Sequence, residues 1–144
     1  MNIQSIMTSD PLTLRDGETV ARAEDALLAK AFINLPVVDA RSRYLGMFGV
    51  FELLRALTPK APSAGGGDDI AALRHRLSEI RLQPVGPLVN NSLPVLRANA
   101  SITEALPLFH LHRSSLPVVD AGNGRLSGIV SYWDALGAIT APPK

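Results

Sequence analysis

A hydroxyl and a carboxylate stand three residues apart near the end of the chain, in the segment Gly128-Ile129-Val130-Ser131-Tyr132-Trp133-Asp134. The apolar run before Ser131 favours a strand, and the residues after it favour a helix, so both side chains should lie at a helix N-terminus. There an ionised Asp134 can accept charge-assisted hydrogen bonds from hydroxyl groups, and free N–H groups favour an anion. The same spacing also fits a helix cap. The residues alone leave a binding site and a cap open.

The chain contains one pattern twice. The hexamer LPVVDA at residues 35–40 recurs letter for letter at 116–121, and Gly46 matches Gly128 at nearly the same separation. Six identical residues in register with further matches indicate a duplication. Each copy predicts the order β-α-β-β-α in an α/β (α+β) fold. The predicted strands include residues 12–14 and 44–50 in the first copy and 94–96 and 126–131 in the second, and the closing helices are 51–57 and 132–139.

Local signals refine the elements of the second copy and of the connection between copies. Ser101 and Glu104 have the spacing of a capping box, which predicts a helix start. Pro107 lies inside that helix, where we expect a kink or a shortening. Residues 59–67 are rich in Pro, Ala and Gly and predict a flexible linker. The stripe that follows should form a helix that packs on the second copy, with a partner-binding helix as the alternative. Its members are Ile70, Leu73, Leu77 and Ile80. The predicted boundaries are 1–60 for the first unit, 61–82 for the linker and connecting helix, and 83–144 for the second unit.

Composition excludes several classes of function. Fourteen Lys and Arg residues balance 13 Asp and Glu residues without a basic stripe, so we expect no nucleic-acid binding. No apolar run is long enough to span a bilayer, and the N-terminus has no signal-peptide pattern, which predicts a cytoplasmic protein without a membrane partner. Cysteine is absent, and His110 and His112 are two apart, which places them on different helix faces, so no metal site is expected. No catalytic motif is found, and we expect no enzyme.

The twice-occurring unit, with LPVVD followed by Gly-h-h-Ser-x-x-Asp (h, apolar), resembles the CBS domain pair, or Bateman module, over about residues 3–139. The resemblance implies two units packed about a pseudo-twofold axis, with two clefts for adenosine-containing ligands such as AMP, ATP or S-adenosylmethionine. It also implies pairing of modules into a homodimer. Because no catalytic domain shares this sequence, we expect regulation of a partner protein in trans. The alternative is a structural dimerisation module that binds no ligand.

The resemblance also implies which residues form the site. Asp134 would hold the ribose hydroxyls, with Gly128, Ile129 and Ser131 from the same segment. Partners carried over by position from the opening segment and from the residues around the first LPV are Ile6, Phe32, Ile33, Asn34 and Pro36. Asn34 would bond a base edge or phosphate, and Phe32 and Ile33 would sandwich a ring.

The two copies differ at the signature segment. In the first copy, Gly49 replaces the hydroxyl residue and Glu52 replaces the aspartate, so we predict one competent cleft and one empty or divergent cleft. The family often places His or Arg just before the LP dipeptide, whereas this chain has Ile33-Asn34 and Ser114-Ser115. A triphosphate is therefore not supported, and a monophosphate or S-adenosyl compound fits better.

Overall fold

The computed structural model describes residues 1–30, 32–58 and 69–142. The sequence of the first copy also has apolar residues at helical spacing, Val20, Ala23, Leu27 and Ala31. Ala31 and the predicted linker at 59–67 lie outside the described residues. Across the described ranges, no helix combines the length and the apolar composition that crossing a bilayer requires.

The first copy folds in the predicted order β-α-β-β-α. Its three strands form one sheet in chain order, with Asn34–Val38 in the centre. Periodic apolar residues of the first helix, Val20, Ala23 and Leu27, are buried against this sheet in one core with Phe48. The first strand starts two residues later than expected, because Leu12 is about half exposed and contributes nothing to the core. The elements are β1 (Leu14–Arg15), α1 (Val20–Lys30), β2 (Asn34–Val38), β3 (Tyr44–Gly49) and α2 (Val50–Leu57).

The second copy repeats this order except at its first strand. The expected strand at 94–96 is reduced to one parallel bridge, between Leu96 and Val118. Pro94 has no N–H to donate to a ladder, which is one reason why the pairing does not extend. The last two strands pair antiparallel, with Val118 opposite Gly128. The elements are α4 (Ile102–His112), β4 (Leu116–Val119), β5 (Leu126–Val130) and α5 (Tyr132–Thr140).

Helix α4 begins where the sequence predicts. Ser101 and Glu104 form the expected capping box, each side chain accepting the backbone N–H of the other residue. Of the expected kink or shortening at Pro107, the shortening is wrong, because the helix continues for five residues to His112. The kink stays a prediction. Pro107 and Thr103 are both exposed, so the carbonyl that loses its intrahelical partner can be hydrated.

The helix after the linker, α3 (Ile70–Ile80), packs on the first copy and not on the second as expected. Ile80 is buried in the core of the first copy, while Ile70 and Leu73 remain 44% and 39% exposed. The segment after α3 also supplies acceptors to the free N–H groups at the start of α1: Val20 N–H donates to the Gln83 carbonyl (2.9 Å) and Ala21 N–H to the Arg81 carbonyl (3.1 Å). An amphipathic stripe predicts a buried face but does not specify which surface it packs against.

The chain divides into two compact units. Unit I contains Met1–Thr13, Val38–Tyr44 and Ser92–Lys144, and unit II contains Leu14–Val37 and Leu45–Asn91. The core of unit I includes Ile3, Phe109, Leu116 and Val130. The predicted linear boundaries at 1–60, 61–82 and 83–144 stay a prediction.

Candidate functional site

Ser131 and Asp134 form a reciprocal cap at the start of α5. Ser131 has extended dihedral angles, its hydroxyl oxygen accepts the Asp134 N–H (3.0 Å), and Asp134 Oδ2 accepts the Ser131 N–H (2.8 Å). The cap allowed by the sequence is therefore present. It does not exhaust the carboxylate, because an ionised Asp offers about four lone-pair positions, and Asp134 Oδ1 receives no hydrogen bond from the described part of the chain. A cap and a ligand contact are compatible at this residue.

Gly128 and Ile129 lie on β5, where the N-terminal segment adds a short antiparallel bridge. Thr8 N–H donates to the Ile129 carbonyl (2.8 Å), and Ile129 N–H donates to the Thr8 carbonyl (3.0 Å). A Cβ atom on Gly128 would lie 2.6 Å from the Thr8 carbonyl oxygen and 2.9 Å from Met7 Sδ. The glycine is thus needed for the close approach of the chain itself. Its predicted contact with a ligand stays a prediction.

Ile6 lies in the same unit as this segment. It ends a short 3₁₀ turn, Ile3–Ser5. Its partly buried side chain packs against the core that contains Phe109, Val130 and Ala135, next to Asp134 in sequence. The structure therefore places Ile6 against the core of unit I, and this packing role is sufficient to explain the residue. Its predicted contact with a ligand stays a prediction.

The remaining predicted contacts lie in unit II. Phe32 and Ile33 precede β2 and are 41% and 49% exposed, so their side chains are available to pack on a ring. Asn34 begins β2 and is partly buried, whereas Pro36 is fully buried in the strand. Burial gives Pro36 a packing role, and its ligand role stays a prediction.

Gly49, the residue that departs from the signature in the first copy, has a steric explanation. It precedes α2 and offers no side-chain cap. Val50 N–H donates to the Ile33 carbonyl (2.9 Å), and a Cβ on Gly49 would overlap that carbonyl oxygen and lie 2.5 Å from Asn34 Cα. The backbone at residues 33–34 therefore occupies the space that a hydroxyl side chain would need. Glu52 sits in the first turn of α2 and is partly buried.

Residues 3–59 and 85–141 each match the family model for the CBS domain. The chain belongs to the CBS domain family. Its two copies are tandem CBS repeats, as the sequence predicts, in a mixed α+β fold.

Solved structures of CBS proteins resemble the chain over nearly its whole length. CBSX2 from Arabidopsis thaliana is 25% identical, with a TM-score of 0.76 over 96% of this chain and 93% of that one. A structure of CBSX2 in complex with AMP is 24% identical, with a TM-score of 0.73 over 96% and 95% of the two chains. A CBS domain-containing protein from Bacillus anthracis is 16% identical, with a TM-score of 0.77 over 96% and 92%. No curated protein matches the chain significantly.

Two depressions flank α5 in this CBS protein, and the sequence did not predict their lining. One, of about 410 Å³, is lined by Phe109, His110, Arg113 and Tyr132, and the rings of Phe109 and Tyr132 meet edge to face. Arg113 ends α4 in the left-handed conformation, with φ +53°. The other, of about 310 Å³, is apolar, and its lining consists of Leu106, Phe109, Tyr132, Trp133, Ala135, Leu136 and Ile139. In the first depression, the side chains of His110 and Arg113 therefore lie beside Tyr132, the residue that follows Ser131.

Sequence reasoning missed Met7 and Thr8 as neighbours of the signature segment, because a single bridge has no periodicity. A glycine at the same position of both copies, Gly46 and Gly128, was the available signal for a close backbone approach. At Gly46 as well, a Cβ would lie only 2.8 Å from a backbone oxygen, the Asn90 carbonyl. Within the described ranges, no group of three or more His, Asp or Glu residues is placed to hold a metal ion.

Proposed function

We propose that this CBS pair is a regulatory module, not an enzyme, that binds an adenosine nucleotide or S-adenosyl compound through Asp134 and acts on a partner protein in trans. The observation that carries the proposal is the Asp134 carboxylate, which is held by the Ser131 cap through Oδ2 and has Oδ1 without a hydrogen bond. A fixed carboxylate with a spare oxygen suits a vicinal diol, because each hydroxyl can donate a charge-assisted hydrogen bond to it.

The proposed ligand class rests on a similar CBS protein and on the residues that the family resemblance assigns to the site. A structure of a similar CBS protein, CBSX2, contains AMP, which supports an adenosine compound. The start of α5 adds backbone N–H groups without intrahelical acceptors, which favour a single anionic group. Residues 33–34 and 114–115 carry no charge, so a triphosphate would lack cationic partners there. AMP or S-adenosylmethionine is therefore the preferred ligand over ATP.

The test is a thermal-shift series with AMP, ATP and S-adenosylmethionine on the wild type and two amide variants. Asp134→Asn keeps an oxygen that can accept the Ser131 N–H but removes the charge. Glu104→Gln makes the same change in the capping box of α4, in the same unit. A ligand at about a hundred times its Kd adds about 2.7 kcal/mol, which raises Tm by several degrees.

We expect AMP or S-adenosylmethionine to raise the Tm of the wild type and of Glu104→Gln, and to leave that of Asp134→Asn unchanged. A ligand-induced rise in Tm that persists in Asp134→Asn would show that the ligand binds at another site. No shift of the wild type by any of the three compounds would favour the structural dimerisation module.

We also propose that the module pairs into a homodimer through α4 and α5. Trp133, Leu136 and Ile139 recur every three residues along α5 and are 69%, 51% and 55% exposed. Together with Leu106 they border the apolar depression, which has no charged residue in its lining. A contiguous exposed apolar patch is typical of a protein–protein interface. In a twofold dimer it would be buried against the same patch of a second copy.

The oligomeric state tests the dimer. Trp133→Glu places a charge in the centre of the patch, and Leu82→Glu places one at a side chain that is 79% exposed outside it. Light scattering should give twice the monomer mass for the wild type and for Leu82→Glu, and the monomer mass for Trp133→Glu. A monomeric wild type, or a dimeric Trp133→Glu, would contradict this interface.

A further inference from the structure

The two hairpin turns that follow the LPVVD motifs are joined in unit I by an isolated antiparallel bridge between Arg43 and Arg125. The bridging hydrogen bonds are made by flanking residues, so the two arginines form a non-hydrogen-bonded pair. In such pairs the Cα atoms are about 4.5 Å apart and the side chains share one face. The two hydrogen bonds run from Tyr44 N–H to the Gly124 carbonyl and from Leu126 N–H to the Ser42 carbonyl, each 3.0 Å.

Like charges directly opposite each other destabilise a strand pair, and only one of these two is neutralised. Arg43 Nε lies 2.8 Å from Asp39 Oδ2. The stem of Arg43 passes over Gly124, since a Cβ built there would be 3.9 Å from Arg43 Cγ. Arg125 is exposed, and no carboxylate of the described residues lies within ion-pair distance of it. One guanidinium of the pair is therefore available to an external anion.

The carboxylates of the two turns already accept hydrogen bonds from backbone N–H groups. Asp39 Oδ1 accepts the N–H groups of Arg41 (2.8 Å) and Arg43 (3.0 Å). Asp120 Oδ1 accepts those of Gly122 (2.8 Å) and Asn123 (3.1 Å). These hydrogen bonds fix both carboxylates inside their turns, where they cannot rotate to meet Arg125 without breaking the turn.

Two more arginines extend the surface. Arg41 is exposed in the first turn and has no ion pair with a described residue, and Arg97 donates to the Val119 carbonyl (2.8 Å) beside Asp120. Four arginines and two aspartates therefore lie in or beside the two turns, an excess of two positive charges. We name the surface formed by Arg41, Arg43, Arg97 and Arg125 the arginine face.

We propose that the arginine face binds an acidic segment of the partner protein. Guanidinium groups bind carboxylates in bidentate geometry, and a charged exposed surface steers association and selects partners. A small molecule needs a concave site, whereas these arginines are exposed and the two depressions that flank α5 are lined by other residues. This inference rests on the proposed action on a partner protein, but not on nucleotide binding.

The probe is a short, fluorescently labelled oligoglutamate peptide, followed by fluorescence anisotropy at low ionic strength. Arg125→Gln and Arg43→Gln remove charge from the arginine face. Arg74→Gln is the matched control, because Arg74 is exposed on α3 and forms no ion pair with the described residues. We expect Arg125→Gln to weaken binding about three- to fivefold, the upper range for an exposed ion pair, and Arg74→Gln to change it less than about twofold.

If all three substitutions weaken peptide binding equally, the loss is explained by net charge alone and the inference is wrong. It is also wrong if the wild type does not bind the peptide. Inorganic phosphate that displaces the peptide at matched charge concentration would indicate a small-anion site instead of a protein contact. The AMP shift in Tm is measured on the same proteins. If the wild type binds the peptide but AMP does not raise its Tm, the proposed nucleotide binding is wrong and the inference about the arginine face holds. If AMP raises the Tm but the peptide does not bind, the inference is wrong and the proposed nucleotide binding holds.

Discussion

Ser131 and Asp134 are hydrogen-bonded to each other's backbone in both directions, by the Ser131 hydroxyl and the Asp134 carboxylate. Ser101 and Glu104 form the same arrangement at the start of α4, at 3.2 and 2.9 Å. The sequence and the family resemblance assign a ligand only to the first pair. The second pair is therefore an internal reference that separates loss of a cap from loss of binding.

Ser131→Ala should lower the free energy of unfolding by about 0.5–2 kcal/mol, because the N–H of Asp134 loses its acceptor. Ser101→Ala should cost a similar amount, since it removes the equivalent bond from Glu104. Urea denaturation without ligand measures both. If Ser131→Ala costs nothing while Ser101→Ala is destabilising, the α5 cap does not form in solution, and the orientation of Asp134 that it fixes is lost with it.

Gly49→Ser should destabilise the protein by about 1–3 kcal/mol, the usual cost of overpacking. A Cβ at this position would lie 2.5 Å from Asn34 Cα, so the backbone would have to move. Gly17→Ser is the control, because its Cβ would meet nothing within 4 Å. Restoring the family hydroxyl in the first copy should therefore not create a second ligand site. A stable Gly49→Ser with unchanged Tm would mean that residues 33–34 lie farther from Gly49 than described.

The order of elements and the caps could be predicted because their signals are local. A serine three residues before an acidic residue satisfies backbone groups within one helical turn, and both such pairs form caps. The surface that covers α3 could not be predicted, since an apolar stripe does not specify its partner. The bridge between Thr8 and Ile129 involves one residue on each side, which is too short for any periodicity. The sequence marks Gly128 as a position of close approach to a ligand, whereas in the structure it is the Thr8 carbonyl that approaches it.

Tyr44→Phe should leave the protein as stable or raise the free energy of unfolding by about 1 kcal/mol, because a buried polar group without a partner carries a desolvation cost. The Tyr44 hydroxyl is buried and has no hydrogen-bond partner in the described ranges, and burial raises its pKa well above the ordinary value. Tyr132→Phe is the control at a more exposed ring, expected to change stability by less than about 0.5 kcal/mol. A clear loss of stability in Tyr44→Phe would show that the hydroxyl has a partner in solution.

Acid should destabilise the protein partly through the two turn carboxylates. The backbone hydrogen bond from Arg43 lowers the pKa of Asp39, and those from Asn123 and Gly122 lower the pKa of Asp120, both below the ordinary 3.8. A pKa that is lower in the folded state means that the unfolded state binds protons more readily. The stabilising contribution is therefore complete above the unfolded pKa and is lost as the pH falls from about 4 through the folded values.

The double variant Asp39→Asn/Asp120→Asn should consequently show a flatter dependence of Tm on pH below about pH 4 than the wild type, while its Tm at neutral pH is lower. Asp25→Asn is the control, because Asp25 is exposed on α1 without a hydrogen bond or ion pair to a described residue, and its acid profile should follow that of the wild type. Calorimetry across that range measures all three proteins. If the double variant keeps the full acid slope, the destabilisation comes from other carboxylates, and the turns that carry the arginine face are not held by the charge of Asp39 and Asp120.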